Sequence, residues 1–192
     1  MVKMLITAVP IVLSCIANTF FLRSSLFLNL KRPIDGNRTL SDGRRLFGNN
    51  KTWRGLLGMV FLSPCVFVLW GLLCKHVLFL EVNTLFYTYK LNKYSYNILI
   101  GFLIGLAYCV FELPNSFIKR RIGIDPGGTT KGWVGIFFVI LDQVDSLFGC
   151  AIVIYIFNPM HISYFIKFIM LGGIIHITLS YVFKLLKLRK RV

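Results

Sequence analysis

Five apolar runs organise the chain, each separated from the next by a polar or aromatic stretch. Met4–Leu22, Leu56–Cys74, Asn97–Leu113, Trp133–Phe157 and Tyr164–Phe183 are long enough, or nearly so, to cross about 30 Å of hydrocarbon as helices. The third is short at 17 residues. The fourth is long, and Asp142 and Asp145 interrupt it. The pattern predicts an all-α polytopic membrane domain over 1–192 with five transmembrane helices. Part of 128–141 would form a re-entrant or interfacial piece that keeps Asp142 near one membrane face. Gly101-x-x-x-Gly105 in the third run is a small-residue pair of the kind that lets two helices approach closely.

The first run starts with a single lysine, like a secretion signal, but continues past Cys15 to Leu22 without a small-residue cleavage site. It reads as a retained helix. Loop charge orients the bundle. Segments 23–54, 114–132 and 184–192 hold 8, 4 and 5 lysines and arginines, together 17 of the 22. The positive-inside rule places all three in the cytosol, with the amino terminus outside. The aromatic stretch 75–96 then lies on the outer side, as an interfacial belt.

Composition agrees with a membrane domain: 56% hydrophobic residues, mean hydropathy +0.73 and only 7 acids. The net charge of +15 does not indicate nucleic acid, because the basic residues flank apolar runs. Anionic headgroups or anionic substrates account for it better. The five cysteines fall in or beside apolar runs with no metal-ligand spacing, so they read as packing residues rather than a disulfide framework.

With so few acids, each is informative. Asp142 and Asp145 stand three apart, on one helix face with Ser146. Two carboxylates within an apolar run are costly unless they pair with cations or face a polar cavity. A salt bridge to a neighbouring helix needs only one acid; two suit a hard divalent ion shared with substrate phosphates. In the second basic loop Pro114 and Asn115 mark the end of the third run. Ser116, Lys119 and Arg120 follow at i, i+3 and i+4, then a turn at Asp125-Pro126-Gly127-Gly128-Thr129-Thr130 whose amides suit an anion. A basic run beside a membrane span is on its own only a topology signal. The first basic loop adds Arg44, Arg45, Lys51 and Arg54, interleaved with Gly43, Gly48 and Thr52, to suit a polyanion that backbone amides must approach. His176, within the last run, reads as a helix–helix hydrogen bond.

Ser116-x-x-Lys119-Arg120, Pro126-Gly127-Gly128 and Asp142-x-x-Asp145-Ser146 together resemble the signature of CTP-dependent phosphatidate cytidylyltransferases. Pro33-Ile34-Asp35, Asp42-Gly43-Arg44-Arg45, Phe47-Gly48 and Lys51-Thr52-Trp53-Arg54-Gly55 resemble, more specifically, the CDP-archaeol synthase family of that superfamily. Three departures mark a divergent member: Gly128-Thr129 after Pro-Gly, Glu112 before Ser116, and a long stretch between Gly127 and Asp142. The resemblance implies transfer of a cytidylyl group from CTP to a membrane lipid phosphate, with Mg²⁺ at Asp142 and Asp145. Ser116, Lys119 and Arg120 would be catalytic. Arg44, Arg45, Gly48, Lys51, Thr52, Arg54, Pro126, Gly127 and Gly128 would bind substrate at the cytosolic surface. The implied partners are CTP, a lipid phosphate and the bilayer, with a homodimer left open. A small transporter, or an inactive scaffold of the same fold, would also keep carboxylates in a span; a transporter would not need the glycine-rich basic loop.

Overall fold

A computed structural model describes residues 1–128 and 130–185, so Thr129 and most of the basic tail 184–192 lie outside the described residues. Five long helices are apolar enough to cross a membrane: α1 (Val2–Arg23), α2 (Trp53–His76), α4 (Tyr94–Arg121), α5 (Gly132–Phe157) and α6 (Ile162–Leu185). A short α3 (Leu78–Val82) follows α2. No strands occur among the described residues, only two isolated antiparallel bridges, Pro33 with Thr52 and Thr39 with Arg45. The protein is an all-α integral membrane protein, as the hydropathy pattern implies.

Packing rather than solvent aversion must join helices in lipid, so close approach decides which faces meet. On α4, a Cβ at Gly101 would lie 2.7 Å from Pro64 Cα, and one at Gly105 2.6 Å from the Met59 carbonyl oxygen. The small-residue pair is therefore the seam between α4 and α2. Ile100 and Ile104 beside it are fully buried, as are Met59, Cys150, Ala151 and Ile154.

Two sequence expectations change. Pro114 does not end the third span: α4 runs through it to Arg121, so 114–121 are helix and not loop. Proline is tolerated within membrane helices because neighbouring groups satisfy the freed carbonyl. Nor does the chain reverse before Asp142. Residues 132–141 are the first turns of a continuous α5, which sets Asp142 about 15 Å along the helix from Gly132. Their exposed Trp133, Ile136, Phe137 and Ile140 are the apolar surface expected of a helix that faces lipid.

The stretch 75–96 is also more than a belt. It folds into the end of the bundle, with Phe86 fully buried edge-on to Phe67 at 5.0 Å. Its polar groups find partners there. Leu85 N–H donates to Thr7 Oγ1 (2.9 Å), Tyr87 O–H to Asn97 Oδ1 (2.9 Å) and Asn92 Nδ2 to the Gly71 carbonyl (2.8 Å). This end of the bundle is plugged. The opposite end, where α1 and α4 finish and α2 and α5 begin, carries the polar chemistry.

Candidate active site

The loop joining α1 to α2 is held by one carboxylate. Asp35, 4% exposed, accepts hydrogen bonds from the Asn37, Phe47 and Gly48 amides (3.1, 3.1 and 2.9 Å) and pairs with the Arg45 guanidinium. Burial works against its charge, but Arg45 and the three amides outweigh it and hold the carboxyl down at about 2. Thr52 then starts α2 as its N-cap, accepting from Gly55 N–H at 3.2 Å.

The loop is fastened to α4 by arginines. Arg44 donates to the carbonyls of Arg120 and Arg121 at the C-terminus of α4. Arg121 returns donors to the Arg44 and Arg45 carbonyls and pairs with Asp42 at 2.6 Å. Arg54, 2% exposed, donates to the carbonyls of Phe21, Leu22 and Ser24 at the end of α1 (2.8, 3.1 and 2.7 Å) and lies 5.0 Å over the Phe21 ring. Helix C-termini expose carbonyls that lack intrahelical donors, and cations satisfy them well.

The sequence reading has Arg44, Arg45 and Arg54 face a substrate; in the structure these contacts engage all three side chains. All three hold the fold together and none lines a cavity. Gly48, also expected at a substrate, is engaged as well. Its amide is held by Asp35, and it is glycine because φ is +95° and a Cβ would stand 2.5 Å from Pro126 Cγ. The 125–128 turn closes on itself, with Gly128 N–H donating to the Asp125 carbonyl at 2.8 Å, so that amide is not free for an anion. Pro126 packs over Gly48; Gly127 and Gly128 line a cavity.

That cavity, about 290 Å³, lies between the loop, α4, α5 and α6. On α4, Glu112, Ser116 and Lys119 line it at i, i+4 and i+7, and Arg120 reaches its edge while donating to the Ile124 carbonyl. On α5, Asp142 and Asp145 line it one turn apart. The two helices meet through side chains. Asn115 Nδ2 donates to Asp142 Oδ1 and to Asp145 Oδ2, both at 2.7 Å, and the Lys119 ammonium pairs with Asp142. Asp145 also accepts from Ser146 N–H at 2.6 Å. The salt bridge weighed from sequence is thus present at Asp142, but the second acid is held only by neutral donors. Both carboxylates converge on one nitrogen beside an open polar space.

A second cavity of about 270 Å³ continues from the first between α1, α2, α4 and α6. Asn50, Lys51, Glu112, His176 and Ser180 line both. Lys51 and Glu112 form an ion pair there. Burial lowers the tendency of Lys51 to hold its proton, but Glu112 outweighs it, so its pKa is raised. The rest of the second cavity's lining is mixed, with Asn18 and Thr19 of α1 and apolar Leu22, Leu179 and Phe183.

A family model described as CarS-like, CDP-archaeol synthase, matches residues 1–192. The chain belongs to the CDP-archaeol synthase family. Curated family members resemble it over most of its length: the CDP-archaeol synthase of Sulfolobus acidocaldarius is 30% identical over 167 residues, 86% of each chain. That of Pyrococcus furiosus is 33% identical over 114 residues, covering 59% of this chain and 60% of its own. The fold is shared with a solved structure, described as an intramembrane enzyme for archaeal membrane lipids biosynthesis. It superposes with a TM-score of 0.60 at 21% identity over 93% of this chain and 92% of the other.

Within this family member, Asp142, Asp145, Ser116, Lys119, Arg120, Lys51, Gly127 and Gly128 come together around the joined cavities, with Thr52 at their rim. Sequence reasoning missed Asn115, Asn50 and Gln143; the helix–helix hydrogen bond expected of His176 is present, its Nε2 lying 3.5 Å from the Tyr108 hydroxyl between α6 and α4 at the cavity wall. Asn115 was detectable in principle. It precedes Lys119 by four residues, as Asp142 precedes Ser146, so the two polar faces match once α4 is known to continue past Pro114.

Proposed function

We propose that this protein transfers the cytidylyl group of CTP to a membrane lipid phosphate, releasing pyrophosphate, at the cytosolic face of the membrane. One observation carries the reading beyond family membership. Two joined cavities lie at the basic end of the bundle, and the more polar one is walled by a convergent carboxylate pair and by Lys51, Lys119 and Arg120. The polar cavity suits the triphosphate. The mixed cavity between α1 and α6 suits a lipid headgroup whose tails remain in the bilayer.

The residues fit a magnesium ion. The ligand atoms are hard oxygens, and the two carboxylates accept two hydrogens from Asn115, one from the Ser146 amide and the Lys119 ammonium. Asp142 and Asp145 would hold the ion, which would neutralise charge on the triphosphate. Asn115 keeps the two carboxylates aimed at one place. Lys119, held at the cavity wall by Asp142, is positioned to take a phosphate oxygen. In the transfer, an oxygen of the lipid phosphate attacks the α-phosphorus of CTP as the bond to the β-phosphate oxygen breaks, and pyrophosphate leaves on the opposite side. A lipid phosphate is anionic near neutral pH, so positioning and charge neutralisation carry the rate, not a strong base.

The test is to incubate purified protein with labelled CTP, Mg²⁺ and lipid phosphates bearing ether-linked isoprenoid or ester-linked acyl chains, and to follow CDP-lipid. Labelled lipid product, with one pyrophosphate per turnover, is expected. No product from any of them, with an active synthase run in parallel, would sink the reading.

A further inference from the structure

We propose that Gln143 binds the nucleoside of CTP, exchanging hydrogen bonds with the ribose hydroxyls or with the amino edge of the cytosine. The inference rests on the cytidylyltransferase reading and assigns a residue to the part of the nucleotide that the charged groups leave unread.

Gln143 is 6% exposed and lines the polar cavity. Its Oε1 is buried, and no group among the described residues donates to it. A buried amide left without partners costs stability, so one at a cavity wall calls for a ligand that uses it. The amide turns about a soft terminal torsion, so either its oxygen or its nitrogen can be presented to the cavity.

The hydrogen-bonding pattern of the amide selects the ligand, because an amide both donates and accepts. Ionised phosphate oxygens only accept, and Lys51, Lys119 and Arg120 in the same wall suit them. A lipid phosphate whose other glycerol oxygens carry chains offers no donor either. The donors of the two substrates belong to the nucleoside: the ribose hydroxyls and the cytosine amino group, each beside an acceptor. Position agrees with this. Gln143 follows Asp142 and stands about 100° round α5 from it, on the side away from Asp145. The nucleoside is bonded to the α-phosphate, so it lies beside whatever the aspartates hold. Val139, one turn before Gln143, and Phe47 of the α1–α2 loop add apolar surface to the same wall. A triphosphate has no use for such surface, whereas the face of a pyrimidine ring packs on it.

The test compares wild type with Gln143→Met, a straight-chain replacement of similar volume without the amide. CDP-lipid formation is measured with CTP, with CTP lacking the 2′- or the 3′-hydroxyl, and with CTP lacking the 4-amino group. Binding is followed apart from turnover, by the rise in unfolding midpoint that each nucleotide gives with Mg²⁺ in micelles. Gln143→Met should raise KM for CTP by about tenfold, with KM for the lipid phosphate changed by less than about threefold, as expected for one lost pair of hydrogen bonds. Its midpoint without nucleotide should equal or exceed that of wild type, since a buried amide without partners is removed. Wild type should prefer CTP to one analogue, and Gln143→Met should lose that preference. A lost preference over a deoxy analogue assigns the amide to the ribose, and over the analogue without the amino group, to the base. Preferences that are the same in both proteins for every analogue would overturn the inference. So would a lowered midpoint with KM for CTP unchanged, the mark of a purely structural amide. If Gln143→Met does not insert, Gln143→Asn, whose amide is one carbon short, carries the same comparison: a weakened preference over one analogue supports the inference and unchanged preferences overturn it. A wild type that binds CTP but forms no product would count against the transfer reading alone; one that binds no CTP would end both.

Discussion

Arg54 and Lys119 stand at the same end of the bundle and do opposite things. Arg54 is buried to 2% and holds three carbonyls at the end of α1, and it lines neither cavity. Lys119 pairs with a carboxylate that is itself 42% exposed to an open polar space. The guanidinium offers several donors in a fixed fork and suits a cluster of carbonyls, whereas the ammonium is a compact charge on a flexible stem. Positive charge in the sequence therefore has two uses here. Arg44 and Arg54 fasten helix ends, Arg45 holds the Asp35 carboxylate within the loop, and Lys51 and Lys119 line the cavities.

The sharpest way to break this division is to remove the acids the lysines face. Asp142→Asn or Asp145→Asn should lower CDP-lipid formation by about a thousandfold, the upper range for losing one preorganised electrostatic group. The thermal unfolding midpoint in micelles should stay close to wild type. Activity retained in both variants would place the chemistry elsewhere. Next in size is the direct contrast between the cations. Lys119→Met should cost on the order of a hundredfold in kcat with little loss of stability. Arg54→Met should do the reverse, destabilising the fold by about 3 kcal/mol through carbonyls left without donors while the folded fraction keeps its turnover. An Arg54 variant that folds normally yet loses turnover would erase the distinction.

The smallest effect concerns Asp35, the acid that serves the loop rather than the cavity. Its folded-state carboxyl is depressed from 3.8 to about 2. The stability it contributes is thus fully present above about pH 4 and is lost as pH falls from there towards 2, amounting to about 2 kcal/mol. Unfolding midpoints of wild type and Asp35→Asn should differ at pH 6 and converge near pH 2. A gap that is constant across that range would show that the charge on Asp35 is not what holds the loop.

Much of this was visible along the chain. The apolar runs gave five crossings because a lipid-spanning helix must be apolar over most of its length, whatever its neighbours do. Asp142 and Asp145 stood out because charge is costly in such a run, and Ser116 and Lys119 because their spacing matches a helix turn. Asn115 did not stand out, and Glu112 did so only as a departure from the family pattern. Beside Pro114 they looked like the residues of a helix end, and only the continuation of α4 to Arg121 turns Glu112, Ser116 and Lys119 into one face. The 75–96 stretch gave no sign that Phe86 is buried, because an aromatic suits a membrane interface and a core equally.

The sequence by itself determined the class of protein, the number of spans, the end at which the basic residues gather and the two acids available for chemistry. Each follows from composition and period, properties that neighbouring helices do not alter. Tertiary structure decided which charges are used up inside the fold. Arg44, Arg45 and Arg54 look like substrate ligands until the carbonyls at the ends of α1 and α4, and the Asp35 carboxylate, are placed beside them. It also joined Lys51 to Glu112 and Asn115 to both aspartates, contacts between residues 27 to 61 positions apart. A charged side chain's partner depends on what packs against it, and sequence spacing carries no record of that.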